Sequence, residues 1–239
     1  NNPDSPQSLN NSESYNGSSW TATNALNVPG FNSVGAGAGT QTANIIVTRN
    51  LPFSDSTTLG QVSEWDGTNW TSGTSLNTSR GDVGLDGIQT NALVFGGITP
   101  SKSNATEQWD GSTWNTSSNM STARSSFSSS GGTNASTAAL AAGGDIGTGV
   151  TNVTEEYNSN INVTTNAAWS SGGNLNQNRS FMGDAGTQTA ALGFGGYISG
   201  PTTTTNASES YDGSSWTATP TINSARNQLS GAGTQTAAL

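Results

Sequence analysis

The chain has 239 residues, enough for one sizeable domain or two small ones, and its 15 acidic against 6 basic residues give a formal charge of −9. That balance disfavours duplex nucleic acid and anionic membrane surfaces as partners, because phosphate binding depends on clustered Lys and Arg. Cysteine and histidine are both absent, which excludes disulfides, Cys/His zinc sites, and nucleophilic or acid–base chemistry built on Cys or His.

Only 9% of residues are charged, and Gly, Ser, Thr and Asn are abundant. Such a composition alone suggests disorder, but the regular placement of Trp, Leu and Phe argues for small apolar sets that must be buried. No run approaches the ~18 apolar residues of a membrane span. The first residue is Asn and no signal peptide is visible, so the chain is expected to be a processed product or part of something longer. Scarce Lys with plentiful Thr, Ser, Asn and Gly suits a virion-surface or extracellular location.

Residues 1–10 are expected to form an extension. A phrase then begins that recurs five times: Tyr15-Asn16-Gly17 before Trp20, Trp65-Asp66-Gly67 before Trp70, Trp109-Asp110-Gly111 before Trp114, Tyr157-Asn158 before Trp169, and Tyr211-Asp212-Gly213 before Trp216. Ten residues after four of these tryptophans comes an arginine, Arg80, Arg124, Arg179 or Arg226; Gly30 stands there in the first copy. A second phrase is interleaved, as in Gly186-Thr187-Gln188-Thr189-Ala190-Ala191-Leu192 before Gly195-Gly196, and returns at Gly233-Thr234-Gln235-Thr236-Ala237-Ala238-Leu239. A period of roughly 40 to 50 residues is the signature of propellers and solenoids.

Residues 80–115 serve as the type unit. Arg80 to Ile88 reads as a strand near a crowded axis, where Gly permits close approach. Ala92-Leu93-Val94-Phe95, ended by Gly96-Gly97, reads as a strand buried on both faces. Asn104 to Trp109 is a third strand, Asp110-Gly111 a type I′ hairpin turn, and Trp114 opens an outer strand. Four antiparallel strands make one propeller blade.

Aligned this way, the chain predicts a five-bladed, all-β propeller spanning 11–239, with blades at about 31–75, 80–119, 124–174 and 179–221. A fifth is split, its outer strands (11–24) closing on inner strands at 226–239, which removes exposed sheet edges. The repeated Trp20, Trp70, Trp114, Trp169 and Trp216 are expected to pack between blades, with a sugar-stacking platform as the functional alternative. Arg80, Arg124, Arg179 and Arg226 are expected to tether neighbouring strands through their forked donors, with a ligand-facing ring as the alternative. The Gly doublets and Asp-Gly turns are backbone devices, since no Gly-rich stretch opens a helix as an anion-binding loop does.

The order of Gly doublet, aromatic-Asp-Gly, Trp and Arg resembles kelch-type β-propeller repeats over nearly the whole chain. The wording from Gly186 to Gly196, together with Ser210-Tyr211-Asp212-Gly213, is similar to kelch-like repeats in structural and tail-fibre proteins of marine bacteriophages. Repeat one departs by lacking the Arg and the Gly doublet, and repeat four by about seven extra residues between Tyr157 and Trp169. Copper-radical oxidases built on kelch propellers use Cys and His, which this chain lacks, so no enzyme, cofactor or metal is expected.

Loops that break the repeat are where specificity is expected. They supply Phe53 and Tyr197 as candidate sugar-stacking aromatics, and Asp55, Lys102 and Asp145 as candidate polar contacts; no spacing supports a calcium loop. The alternative is that these aromatics cover blade ends. Asn160 to Ala168 is expected on the opposite face. The resulting expectation is a non-enzymatic virion-surface structural or adhesion protein that binds host glycan or neighbouring virion subunits, homo-oligomerisation being open. The alternative is a secreted, lectin-like carbohydrate-binding propeller.

Overall fold

The computed structural model describes residues 10–27, 37–49, 59–130, 132, 137–159, 167–199 and 203–238. All its extended structure is antiparallel. Four four-stranded sheets follow one another along the chain. The first holds β3 (Gly37–Thr40), β4 (Ala43–Arg49), β5 (Leu59–Trp65) and β6 (Trp70–Ser72). The second holds β7 (Gly84–Ile88), β8 (Asn91–Phe95), β11 (Thr106–Trp109) and β12 (Trp114–Ser117). The third is β13 (Ser128–Ser130), β14 (Ala138–Ala142), β15 (Thr154–Asn158) and β16 (Ala168–Ser171). The fourth is β17 (Gly183–Thr187), β18 (Ala190–Phe194), β21 (Ser208–Tyr211) and β22 (Trp216–Thr219).

Composition explains the order within each sheet. The second strand carries the apolar run and is buried on both faces; Ala92, Leu93, Val94 and Phe95 are all fully buried, as a strand flanked by neighbours on every side requires. The first strand is rich in Gly, Ala and Ser and lies innermost, where backbones crowd together. Three buried clusters then lie between sheets rather than within one. Ile45, Val62 and Leu76 of the first sheet and its exit meet Leu85, Val94, Trp109 and Trp114 of the second. Leu93 and Phe95 meet Ala139, Ala141 and Tyr157 of the third, and Leu140 and Leu175 meet Met182, Tyr211 and Trp216 of the fourth.

Side chains of the repeated phrase stitch these interfaces. Trp114 Nε1 donates to Thr74 O at 2.9 Å, Trp216 Nε1 to Thr154 Oγ1 at 3.0 Å and Trp169 Nε1 to Thr106 Oγ1 at 3.1 Å, each reaching the preceding blade. Gln89 Nε2 likewise reaches back to Asn44 O and Trp65 O, and Gln188 Nε2 to Tyr157 O. The arginines act within their own blades. Arg124, fully buried, donates to Gly143 O, Val153 O and Glu155, whose carboxylate also accepts from the N–H groups of Ser121 and Thr122. Arg80 with Glu107 and Arg179 with Glu209 repeat the arrangement. Each pair fixes the segment entering the inner strand to the third strand of that blade.

Three expectations are corrected. The described residues contain four complete blades, not five. The outer hairpin β1 (Ser12–Tyr15)–β2 (Trp20–Thr23) and the inner hairpin β23 (Gly233–Thr234)–β24 (Ala237–Ala238) are separate two-stranded sheets, and no ladder closes them into a blade. The Asp-Gly turn is not type I′: Trp65 pairs directly with Trp70, so the loop has four residues, and only its glycine takes positive φ. Asp66 Oδ1 instead accepts the N–H groups of Thr68 and Asn69 at 2.8 and 2.7 Å, an Asx-type closure that the longer loop needs. Two segments read as irregular loops contain small hairpins, β9 (Ile98–Thr99) with β10 (Ser101–Lys102), and β19 (Tyr197–Ser199) with β20 (Thr203–Thr204). Gly30, residues 1–9, and most of the Asn160 to Ala168 insertion lie outside the described residues.

Candidate functional site

Five inner segments surround one axial cavity of about 290 Å³: Gly37–Gly39, Val83–Gly87, Phe127–Ser130 with Gly132, Met182–Gly186 and Leu229–Gly233. Each reaches the axis because the sequence there is small. Adding a Cβ at Gly186 would bring it to 2.1 Å from Ala190 O, and Gly186 has φ +109°, so no other residue fits that backbone without movement.

Among these small residues stand two carboxylates, Asp86 on β7 and Asp184 on β17. Burial pushes the Asp184 carboxyl well above its ordinary value, the negative charge of Asp86 adds to this, and a hydrogen bond from the Ser129 N–H opposes it. Loss of hydration disfavours the charged form, and a like charge nearby does the same. The cavity wall also includes Leu85, Phe127, Met182 and Leu229. A partly apolar chamber with an acidic pair is therefore built to attract positive charge or to hold a proton. The sequence reading missed both residues. The available signal was a charge inside an otherwise Gly/Ala inner strand, Gly84-Leu85-Asp86-Gly87 and Gly183-Asp184-Ala185-Gly186.

Of the residues singled out from the loops, Lys102, Asp145 and Tyr197 do not line this cavity. Phe53 and Asp55 lie outside the described residues. Lys102 Nζ is 2.7 Å from Asp145 Oδ2 and 2.7 Å from Ser125 Oγ, tying the β9–β10 hairpin to the loop of the next blade. Burial pushes the Asp145 carboxyl up, but the Lys102 hydrogen bond and the Gly147 N–H outweigh it and hold it below its ordinary value. Tyr197 is partly buried and meets Phe181 edge to face, ring centres 5.7 Å apart. Asp145 and Tyr197 occupy equivalent places, each bridged to the residue after its blade's arginine, Ser125 or Ser180.

With inner strands around an axis and outer strands at the rim, the architecture is decided. The fold is propeller-like and all-β. Among solved structures, the chain is similar to a fungal alcohol oxidase of the AA5 family in complex with copper, with TM-score 0.54 and 13% identity over 90% of this chain. The chain spans 58% of the length of that oxidase chain. No family model matches the chain. No curated protein matches it either.

That neighbour corrects two expectations. A non-enzymatic virion-surface adhesion protein was expected, with a secreted lectin-like propeller as the alternative, and that similar structure is an enzyme. The likeness lends nothing to either expected role, and at 13% identity it shows the fold alone. The copper of that oxidase finds no fitting donor set here: the chain has no His or Cys, and the described residues hold no group of three or more metal-ligating side chains.

Proposed function

We propose that this chain is a propeller of kelch-type blades whose axial cavity binds a small organic cation. The kelch reading is supported by Gly doublets with positive φ at both positions in three blades, Gly96-Gly97, Gly143-Gly144 and Gly195-Gly196, and by the buried Arg–Glu pair that follows the same spacing. The single observation carrying the ligand class is the acidic pair, Asp86 and Asp184, in a chamber that also presents Phe127, Met182 and Leu229. An ammonium group offsets the like charges of Asp86 and Asp184, and an apolar tail fills the remaining wall. A volume of about 290 Å³ suits a ligand at the small end of the usual range, roughly 300 Å³.

Calorimetric titration with phenethylamine, with phenylethanol as its neutral counterpart, tests this. The amine is expected to bind and the alcohol not. Affinity should rise with pH as Asp184 gives up its proton, and Asp184→Asn should weaken binding at least about tenfold. Equal binding of amine and alcohol, or an Asp184→Asn variant that binds as well as the parent, sinks the reading. Heat that continues after saturation would mark turnover.

A further inference from the structure

We propose that the axial ligand is a vicinal amino alcohol carrying an aromatic tail, with its ammonium group at Asp86 and Asp184 and its hydroxyl on Ser130. This assignment rests on the axial-cation reading and adds the groups that the cation carries beside its charge.

Register sorts the cavity wall into levels. Three residues after each repeated arginine come Val83, Phe127, Met182 and Leu229, and all four line the cavity. Six residues after the first three arginines come Asp86, Ser130 and Ala185. Pairing places these at one level: Asp86 is opposite Leu93, Ser130 opposite Leu140 and Ala185 opposite Leu192, the third residue of each second strand. One end of the chamber is therefore an apolar ring and its middle is polar. Two to three residues separate that ring from Asp184 and Asp86, roughly 7–10 Å at a strand rise of about 3.3 Å per residue. A phenyl ring on a two-carbon arm has that reach. Phe127 is held at the apolar end by stacking on Phe95, ring centres 5.6 Å apart, so an aromatic tail meets a fixed face there.

The polar groups stand on one side of the axis. β13 packs against both β7 and β17, so Ser129 and Ser130 lie between the two carboxylates, and the Ser129 N–H already serves Asp184. Across the axis, Gly37-Ala38 and Gly231-Ala232 present only glycine and alanine at these levels.

The decisive residue is Ser130. It lines the cavity, is 4% exposed, and among the described residues its Oγ has no hydrogen-bond partner. A buried hydroxyl left unpaired is unfavourable, and the first and fourth blades avoid one by placing Ala38 and Ala185 at this level. The third blade instead sets a hydroxyl beside the strand that carries Asp86. A ligand hydroxyl on the carbon next to the one bearing the ammonium reaches Ser130 while the charge stays at the acidic pair, and like Ser130 it both donates and accepts.

Calorimetric titration with phenethylamine and with each enantiomer of 2-amino-1-phenylethanol tests this. All three are cations at neutral pH and share the ring and the arm, so the comparison isolates the hydroxyl. Because Ser130 stands to one side of the axis, one enantiomer is expected to bind at least about fivefold more tightly than both phenethylamine and its own mirror image. Ser130→Ala should bind phenethylamine as wild type does and lose the preference between enantiomers. Alanine already fills that level in two blades, thermal unfolding checks that the variant folds, and the enantiomer comparison in wild type stands without it. Phenethylamine binding with no gain from either hydroxyl, or a preference that survives Ser130→Ala, overturns the assignment and leaves the axial-cation reading standing. No binding of any of the three sinks that reading, and the assignment with it.

Discussion

Arg124 and Glu155 show how a charge is accommodated where solvent is absent. Desolvation lowers the pKa of the Arg124 guanidinium, and the charge and hydrogen bond of Glu155 oppose that; stranding either partner of such a pair costs about 3–5 kcal/mol. Apolar replacement of both would not be neutral here, because Glu155 also serves the N–H groups of Ser121 and Thr122. Asp184 is the opposite case, a carboxylate whose folded pKa is raised by burial and by Asp86. A raised folded pKa means that the native state binds the proton more tightly than the unfolded chain, so the contribution to stability is full below the ordinary carboxylate range and is lost as pH rises through the folded pKa. Asp184→Asn is therefore expected to stabilise the protein at pH 8 and to make little difference at pH 3.5. Urea unfolding at both pH values checks this, and an equal effect at the two would remove the acidic pair as a source of strain.

At the scale of the element, the blade was legible and its joints were not. The apolar runs from Ala92 to Phe95 and from Ala138 to Ala142 announce buried second strands, and the Gly doublets announce where those strands stop. The loop after each aromatic was misread because Asp-Gly usually signals a two-residue turn; here the Asp carboxylate stabilises a four-residue loop, a choice made by side-chain bonding that spacing cannot show. Equally hidden is the left-handed residue two positions after each repeated arginine, Asp82, Ser126, Phe181 and Gln228, with φ between 51° and 55°. Four different side chains occupy it, so no composition signal exists; blade entry imposes it. The doublets are the stricter joint. Gly144 has φ +103°, and a Cβ there would lie 2.8 Å from both Phe127 Cβ and Ser125 O. Gly144→Ala is expected to destabilise by at least about 2 kcal/mol through strain and overlap. Gly17→Ala, where a Cβ meets nothing within 4 Å, should cost less. Thermal unfolding of the two variants provides the comparison.

Across the whole molecule, stability should be as uneven as burial. The third strands of the second, third and fourth blades bury three of their first four residues, as in Ser208, Glu209 and Tyr211 of β21, whereas none of the residues of β1 is buried. The blade core lies between sheets, so a half-blade with one neighbour and one open edge has lost both its ladder and half its packing. Local opening free energies follow buried contacts and protected hydrogen bonds. In hydrogen exchange, amides of β8, β14 and β18 are expected to exchange only on global unfolding, and those of β1–β2 and β23–β24 orders of magnitude faster. Protection of either terminal hairpin equal to that of β18 would show that its edge is satisfied in some other way.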